Sequence, residues 1–295
     1  FFHDNRILGQ FYGTNNGPTV IIFAGIHGNE KAGVHASDMV IRKIKERHIK
    51  FKGNLHIILG NINALNKGIR FEKVDLNRIW QKQHIDELEN RPGEFSPEER
   101  EQWDILNIIR NLLLHEPGPF YFLDLHTTSS TSVPFITISD SLNNRRFSSN
   151  FPLPVVLGIE EYLDGPLLTF INEYGHVALG FEGGAHDDES SIFNCEAFIW
   201  KALVHSKCLD QSELTDYDHY EKTLSNLCCE YQFFAIKYRY ELKDHDAFTM
   251  RSGFKNFEPI DKNEYLAKSN GEDIISPRSG RIFMPLYQED RKSTR

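Results

Sequence analysis

The chain has 295 residues, 40% of them hydrophobic and 25% charged, which is ordinary for one large globular domain or one large domain with a small companion. Its formal net charge of -9 leaves no broad basic field to neutralise phosphates and argues against a nucleic-acid partner. No apolar run approaches the roughly 18 residues of a membrane span, so no membrane partner is expected, and four cysteines without a disulfide framework fit a reduced, cytoplasmic protein.

The same charge leaves room for an anionic substrate, because a few clustered arginines can reverse the local sign. It is also compatible with a homo-oligomer. The sequence opens at Phe1 rather than at methionine, so a trimmed N-terminal piece is expected, and no signal-peptide pattern is read in what remains. The neighbouring Cys228 and Cys229 can rarely satisfy disulfide geometry with each other.

The first clear element is the apolar run TVIIFAGI, Thr19–Ile26, bounded by Gly17-Pro18 and Gly28. An unbroken run of this kind predicts a strand buried on both faces. Asn29 is the expected N-cap of a helix reaching about Arg47, with Val34, Val40, Ile41 and Ile44 on one stripe. NLHIILGN, Asn54–Asn61, is a second strand. Ser96-Pro97-Glu98-Glu99 is a helix start with cap, first-turn proline and an acidic third position. The helix it opens runs through Leu113, and PFYFLDLH, Pro119–His126, follows as a strand.

VPFITIS, PVVLGIE and VALGFEGG are further strand candidates, and helical patterns cover about 167–174, 188–205 and 212–226. Alternating strand and helix predicts an α/β fold with a mostly parallel or mixed sheet and helices on both faces. From about residue 231 the character changes to turn residues with short apolar pieces. The expected organisation is therefore a catalytic domain over 1–230 and a small all-β domain over 231–295.

In open α/β sheets ligands bind beyond the carboxyl ends of the strands. The first strand ends at His27 and the YFLDL strand at His126, so both can lie on one edge of the sheet. Glu30 sits in the first turn after His27, where a bend brings its carboxylate beside the imidazole. Two histidines and one glutamate with an open fourth position form the ligand set of a catalytic zinc. His-x-x-Glu is a weak pattern taken alone, and its placement at strand ends is what gives it weight. VDLNRIW, Val74–Trp80, puts Asp75, Asn77 and Arg78 in a loop after the second strand, and Arg70 precedes it. Asparagine and arginine in a loop can grip a carboxylate, the guanidinium as a bidentate fork. GFEGG, Gly180–Gly184, places Glu182 at the end of another apolar strand.

Taken together, His27-Gly28-Asn29-Glu30, Asp75-Leu76-Asn77-Arg78, Asp124-Leu125-His126 and Glu182 resemble, in order, the succinylglutamate desuccinylase/aspartoacylase family of the wider zinc carboxypeptidase-like superfamily. The resemblance covers roughly residues 19–200 and extends more loosely to the C-terminal region. It implies one zinc per chain held by His27, Glu30 and His126. It also implies Glu182 as general base and proton shuttle, Arg70 polarising the scissile carbonyl, and Asn77 with Arg78 binding the substrate α-carboxylate. The implied activity is zinc-dependent hydrolysis of the amide bond of an N-acyl amino acid or a similar small amide. Two rivals share the same residues. One is a metallocarboxypeptidase acting on peptides, and the other is a non-catalytic metal-binding protein.

The chain departs from the better-known members at two places. Where they carry an arginine ten residues before the base glutamate, this chain has Asn172. A C-terminal tyrosine near the active site of aspartoacylase has no clear match, Met284 falling closest with Tyr287 nearby. A neutral amide binds a carboxylate more weakly than a guanidinium, so Asn172 as a substrate contact predicts poor turnover of N-acyl diacids. Lys201, Arg145 or Arg146 could compensate. Among the remaining candidates, His186 with Asp187 and Asp188 could rim the pocket, while His35, His48, His56 and His84 have no partner at ligand spacing. Cys195 and Cys208 are expected in the core, and Ser129, Ser130 and Ser132 form no nucleophile elbow.

Overall fold

In the computed structural model, which describes residues 5–14, 17–91, 93–129, 131–226, 232–243 and 245–286, the chain starts with an element that has no counterpart among the expected ones. This is strand β1, Ile7–Phe11, half-buried and without a clean alternation of apolar and polar residues. The TVIIFA run forms β2, Thr19–Ala24, buried at every position. Val20, Ile22 and Ala24 face one core and Ile21 and Phe23 the other, which is why no polar residue interrupts the run.

Helix α1, Ala32–Arg47, begins later than expected, with Lys31 rather than Asn29 at its N-cap. The residues in between form a tight turn in which Glu30 N–H donates to His27 O at 3.1 Å. There follow β3 (Asn54–Leu59), α2 (Ile62–Lys67), α3 (Lys82–Asn90) and α4 (Pro97–His115). The Ser96 N–H donates to the Glu99 carboxylate at 2.7 Å, as the start signal of α4 requires.

The chain continues as β4 (Phe120–Thr128), β5 (Phe135–Ile138), α5 (Leu142–Ser148), β6 (Val155–Leu157), α6 (Leu167–Glu173), β7 (Val177–Ala185), α7 (Ser190–His205) and α8 (Tyr217–Ser225). The short helices α2 and α5 escape an apolar-stripe reading because their start signal is local. The side chains of Asn61 and Ser141 accept from the N–H groups of Ala64 and Asn144.

The C-terminal region contributes β8 (Phe233–Ala235), β9 (Phe248–Met250), β10 (Pro259–Ile260), β11 (Tyr265–Ser269), β12 (Glu272–Ile275) and β13 (Gly280–Arg281). Eight strands form one sheet in the order β1–β3–β2–β4–β7–β5–β6–β8. β3, β2, β4 and β7 run parallel, β5 joins β7 antiparallel, and β8 pairs parallel with β6 at the far edge. The first strand beyond residue 231 therefore belongs to the large sheet. The later strands make a three-stranded antiparallel sheet, β12–β11–β9, and the pair β10–β13.

Helices cover both faces. Val34, Val40 and Ile41 of α1 and Phe198 and Ile199 of α7 pack on one side, and Ile105 and Ile109 of α4 with Phe170 and Ile171 of α6 on the other. Phe135, Val156 and Phe257 join the C-terminal region to the end of the sheet. Among the described residues no helix is long and apolar enough to cross a membrane.

Candidate active site

Parallel pairing of β2, β4 and β7 brings their carboxyl ends to one edge, with Ala24 beside Leu125 and His126 beside Glu182. His27 follows the end of β2, and the turn after it folds Glu30 back. Gly28 makes this turn possible. A Cβ there would meet the Ala64 carbonyl carbon at 2.1 Å, so only glycine lets α2 approach. The Gly28 N–H donates to Arg70 O at 3.1 Å, which draws the Arg70 loop over the same edge.

His27, Glu30 and His126 are buried, and their ligand atoms lie within 4.8 Å of one another. Glu30 spans both rings, with Oε1 2.8 Å from His27 Nδ1 and Oε2 2.9 Å from His126 Nδ1. The other ring nitrogens face outward to carboxylates, His27 Nε2 to Asp75 at 2.9 Å and His126 Nε2 to Asp124 at 2.7 Å. A carboxylate that accepts a hydrogen bond from Nε2–H fixes that tautomer and leaves the Nδ1 lone pair for a metal. Two inward Nδ1 atoms and one carboxylate are a donor set that fits zinc. Asp75 and Asp124, to which the sequence assigned no role, thus orient the two rings.

Arg70 folds back as the resemblance requires, donating to Glu30 Oε1 at 3.2 Å and Asp75 Oδ2 at 3.1 Å. Burial pushes the Glu30 carboxyl up, but His27 and His126 outweigh it and hold the group well below its usual range. His126 is likewise pulled down by burial and raised more strongly by Asp124 and Glu30, so it lies well above an ordinary imidazole. Asp75 is held far down because His27, Arg70 and Arg78 overcome its burial.

Glu182 differs from these carboxylates. Its Oε2 is shut off from solvent without a hydrogen-bond partner. Burial, opposed by His126 and reinforced by Glu30, raises its pKa to about 7. A carboxylate poised there can take up and return a proton near neutral pH.

Asn77 and Arg78 lie in a short turn, Leu76–Arg78, capped by the Asp75 side chain, and both line the cavity above the cluster. Asn77 Oδ1 accepts from Leu167 N–H at 2.9 Å, and Arg78 Nη1 donates to Asn77 O at 2.7 Å. The cavity measures about 1040 Å³, and its walls come from both the large sheet and residues 233–286.

Asn172 is not brought to that wall. Its amide nitrogen donates to Ser139 Oγ at 2.8 Å and Leu168 O at 2.8 Å, and its oxygen accepts from Asn144 at 2.9 Å. Lys201 pairs with Glu221 and Arg145 with Asp140. His186 lines the cavity and its Nδ1 lies 2.6 Å from Thr127 Oγ1. Met284 and Ser129 also reach the wall, and Ser132 lies nearby, hydrogen-bonded to Asn256 at 2.9 Å. Cys195 and Cys208 are buried free thiols. Ser130, Cys228, Cys229 and Tyr287 fall outside the described residues. The cavity-lining Arg239 carries no motif in the sequence, and only its place in the fold singles it out.

The model of the succinylglutamate desuccinylase/aspartoacylase catalytic domain matches residues 16–189. Over 280 residues the chain is 25% identical to the succinylglutamate desuccinylase of Pseudomonas fluorescens (strain Pf0-1), across 92% of this chain and 80% of that protein. Among solved structures it is similar to the product-bound ectoine utilization protein EutE (DoeB) from Ruegeria pomeroyi, with a TM-score of 0.66 and 20% identity over 90% of this chain and 80% of that one. The succinylglutamate desuccinylase/aspartoacylase of Rhodobacter sphaeroides gives a TM-score of 0.66 at 15% identity over 94% of this chain and 85% of that one. These structural likenesses show a shared fold, and the family model spans well over half of the sequence. The chain belongs to the succinylglutamate desuccinylase/aspartoacylase family.

Proposed function

We propose that the chain is a zinc-dependent deacylase that hydrolyses the amide bond of an N-acyl amino acid or a similar small amide. The observation that carries this reading is the juxtaposition of the two Nδ1 atoms and Glu30 with Glu182, a half-buried carboxylate on the neighbouring strand whose Oε2 is closed off without a hydrogen-bond partner. His27, Glu30 and His126 would hold one zinc per chain. Bound there, zinc would polarise the scissile carbonyl and make water acidic enough to lose a proton near neutral pH.

The chain's own residues do the rest. Glu182 takes the proton from the attacking water and returns it to the leaving amine. Arg70, a charge fixed by Glu30 and Asp75, stabilises the oxyanion. Asn77 and Arg78 hold the substrate α-carboxylate. A wall contributed by residues 233–286 roofs the cavity, which favours a small substrate over a peptide lying in an open groove. Paired Arg70 and isolated Glu182 speak against a purely structural metal, which needs neither. The free buried thiols fit a cytoplasmic location.

The test is metal analysis of the purified protein followed by a panel of N-acyl amino acids and longer peptides. About one zinc per chain and release of free amino acids from the acylated substrates are expected. Hydrolysis confined to the peptides, or activity unaffected by removing the metal, would refute the reading.

A further inference from the structure

The start signal of α4 leaves one of its residues without a task. Ser96, Pro97 and Glu99 begin the helix, and Glu98 beside them takes no part in the capping box. The helix dipole favours an acidic residue in a first turn, and an exposed side chain is enough for that. Glu98 is instead wholly buried. Burying a carboxyl group is costly unless its oxygens meet donors, so its donors show what it holds.

Its oxygens face the loop between Arg70 and Asp75. Oε1 accepts from Glu72 N–H at 2.6 Å, and Oε2 accepts from Lys73 N–H at 3.2 Å and Val74 N–H at 3.4 Å. Residues 71–75 lie outside helix and strand, and among the described residues no backbone carbonyl accepts from these three N–H groups. Oε1 also accepts from Asn61 Nδ2 at 3.3 Å, and Asn61 Oδ1 caps α2 through Ala64 N–H at 3.0 Å. One side chain therefore ties the loop to the start of α2.

The loop carries a group of the site at each end. Arg70 Nη1 donates to Glu30 Oε1 at 3.2 Å, and its Nε donates to Asp75 Oδ2 at 3.3 Å. Asp75 has supports of its own, His27 Nε2 at 2.9 Å and its place as cap of the Leu76–Arg78 turn. Arg70 loses rotamer freedom when its long side chain is fixed, and where its guanidinium sits depends on where the loop sets its backbone.

We propose that Glu98 is a positioning residue, whose buried carboxylate pins residues 72–74 and thereby fixes the Arg70 guanidinium over the strand-end cluster. The inference rests on the deacylase reading, in which Arg70 stabilises the oxyanion, and extends it to a residue that touches no reacting atom. Two carboxylate oxygens offer about four lone-pair sites, whereas an amide has a single acceptor oxygen and turns its NH2 toward the remaining donors. Glu98→Gln is therefore nearly isosteric and yet frees part of the loop. A charge aimed at a developing oxyanion acts through its placement, and a misplacement of about 1 Å can cost about a hundredfold in rate.

The test uses zinc-loaded wild type, Glu98→Gln, Arg70→Ala, Arg78→Ala and the two doubles that combine Glu98→Gln with each arginine variant. The probes are N-acetyl-L-alanine and N-succinyl-L-glutamate. Glu98→Gln should lower kcat by about tenfold, with KM within about twofold of wild type and zinc content unchanged. On the Arg70→Ala background it should cost less than about twofold, because the group it positions is gone, while on the Arg78→Ala background its full loss should remain. A general loosening of the fold would multiply equally on both backgrounds, and that outcome would overturn the proposal.

A second measurement needs no turnover. In heteronuclear NMR spectra of the zinc-loaded protein, the Arg70 Nε–H signal is identified by its loss in Arg70→Ala. Its hydrogen exchange should be about tenfold faster in Glu98→Gln than in wild type, with the amides of β2 unchanged. Glu98→Asp keeps both oxygens but is shorter by a methylene, so it should shift the exchange in the same direction, and it serves where the glutamine variant does not fold. Unchanged Arg70 exchange in the folded variant refutes the proposal whatever the kinetics. Absence of turnover in the wild type would instead count against the deacylase reading, and the exchange measurement would still decide what places Arg70.

Discussion

At the scale of single residues, three carboxylates on one sheet edge behave differently because their neighbours differ. Glu30 stays ionised between two imidazoles, Asp75 stays ionised beside His27 and Arg70, and Glu182, opposite His126 but without a hydrogen bond to Oε2, is raised to about 7. That contrast supports the proposed role of Glu182 in moving a proton. Glu182→Gln keeps its shape and removes that ability, so turnover should fall by roughly 10²–10⁴ while metal content stays near wild type. Ordinary turnover in this variant would mean that another group is the base. His27→Ala and His126→Ala should instead lose most of the zinc, and full occupancy in both would exclude the assigned ligands. Arg70, held against Glu30, and Arg78, facing the open cavity, should separate in steady-state kinetics. Arg78→Ala should raise KM with kcat nearly intact, and Arg70→Ala should lower kcat. The opposite pattern would show that the two roles are exchanged.

At the scale of elements, the site depends on how closely α2 approaches the turn after β2. A methyl group on Gly28 would overlap the backbone of Ala64 and Leu65, at 2.1 Å from the Ala64 carbon and 2.4 Å from Leu65 N. Backbone cannot yield as a side chain can, so Gly28→Ala should cost about 1–3 kcal/mol or more and displace the His27–Glu30 turn. Urea melts and zinc content should both fall, and a variant with wild-type values in both would contradict this packing. The end of α7 supplies a pH-sensitive element. Burial, helped by Lys201 and opposed by Glu221, lowers the His205 pKa to about 4, and its ring packs on Phe151. A folded value below the unfolded one, ~6.5, favours protonation of the unfolded chain. Its contribution is therefore complete above ~6.5 and is lost progressively as pH falls toward about 4. Between pH 7.5 and pH 5 the wild type should lose on the order of 1 kcal/mol more stability than His205→Gln. Equal losses in parallel denaturant melts would show that His205 is not the sensor.

At the scale of the whole molecule, the buried cluster draws charged residues from the turn after β2, from β4, β7 and the Arg70 loop to one place, where attraction between carboxylates and their cationic neighbours offsets the desolvation that opposes folding. A cation bound only by the folded state shifts the equilibrium by mass action, so zinc at about 100 times its Kd should add about 2.7 kcal/mol. For a chain of this size that corresponds to a Tm rise of about 4 °C. Calorimetric scans with chelator and with added zinc should show the rise in wild type and Glu182→Gln, and not in His126→Ala. A Tm indifferent to zinc in the wild type would remove the metal from the fold's energetics.

The sequence by itself determined the elements whose signals are local or periodic. The unbroken TVIIFA run, the Ser96 start of α4 and the apolar run before His126 each name their element without knowledge of the rest of the chain. Because strand ends gather at one edge of such a sheet, His27, Glu30, His126 and Glu182 were also legible as a group. What the sequence could not decide depends on residues far apart along the chain. β8 joins the large sheet because β6 offers it an edge, and α1 starts at Ala32 because the turn must return Glu30 to His27. Asp75 and Asp124 gain their roles only when the rings turn Nε2 toward them. Arg239 has no local pattern at all, and Asn172 looks available until its amide is seen bonded to Ser139 and Asn144. The surroundings of a side chain are a sum over elements brought together by folding, so what Arg239 and Asn172 face was decided by the tertiary structure alone.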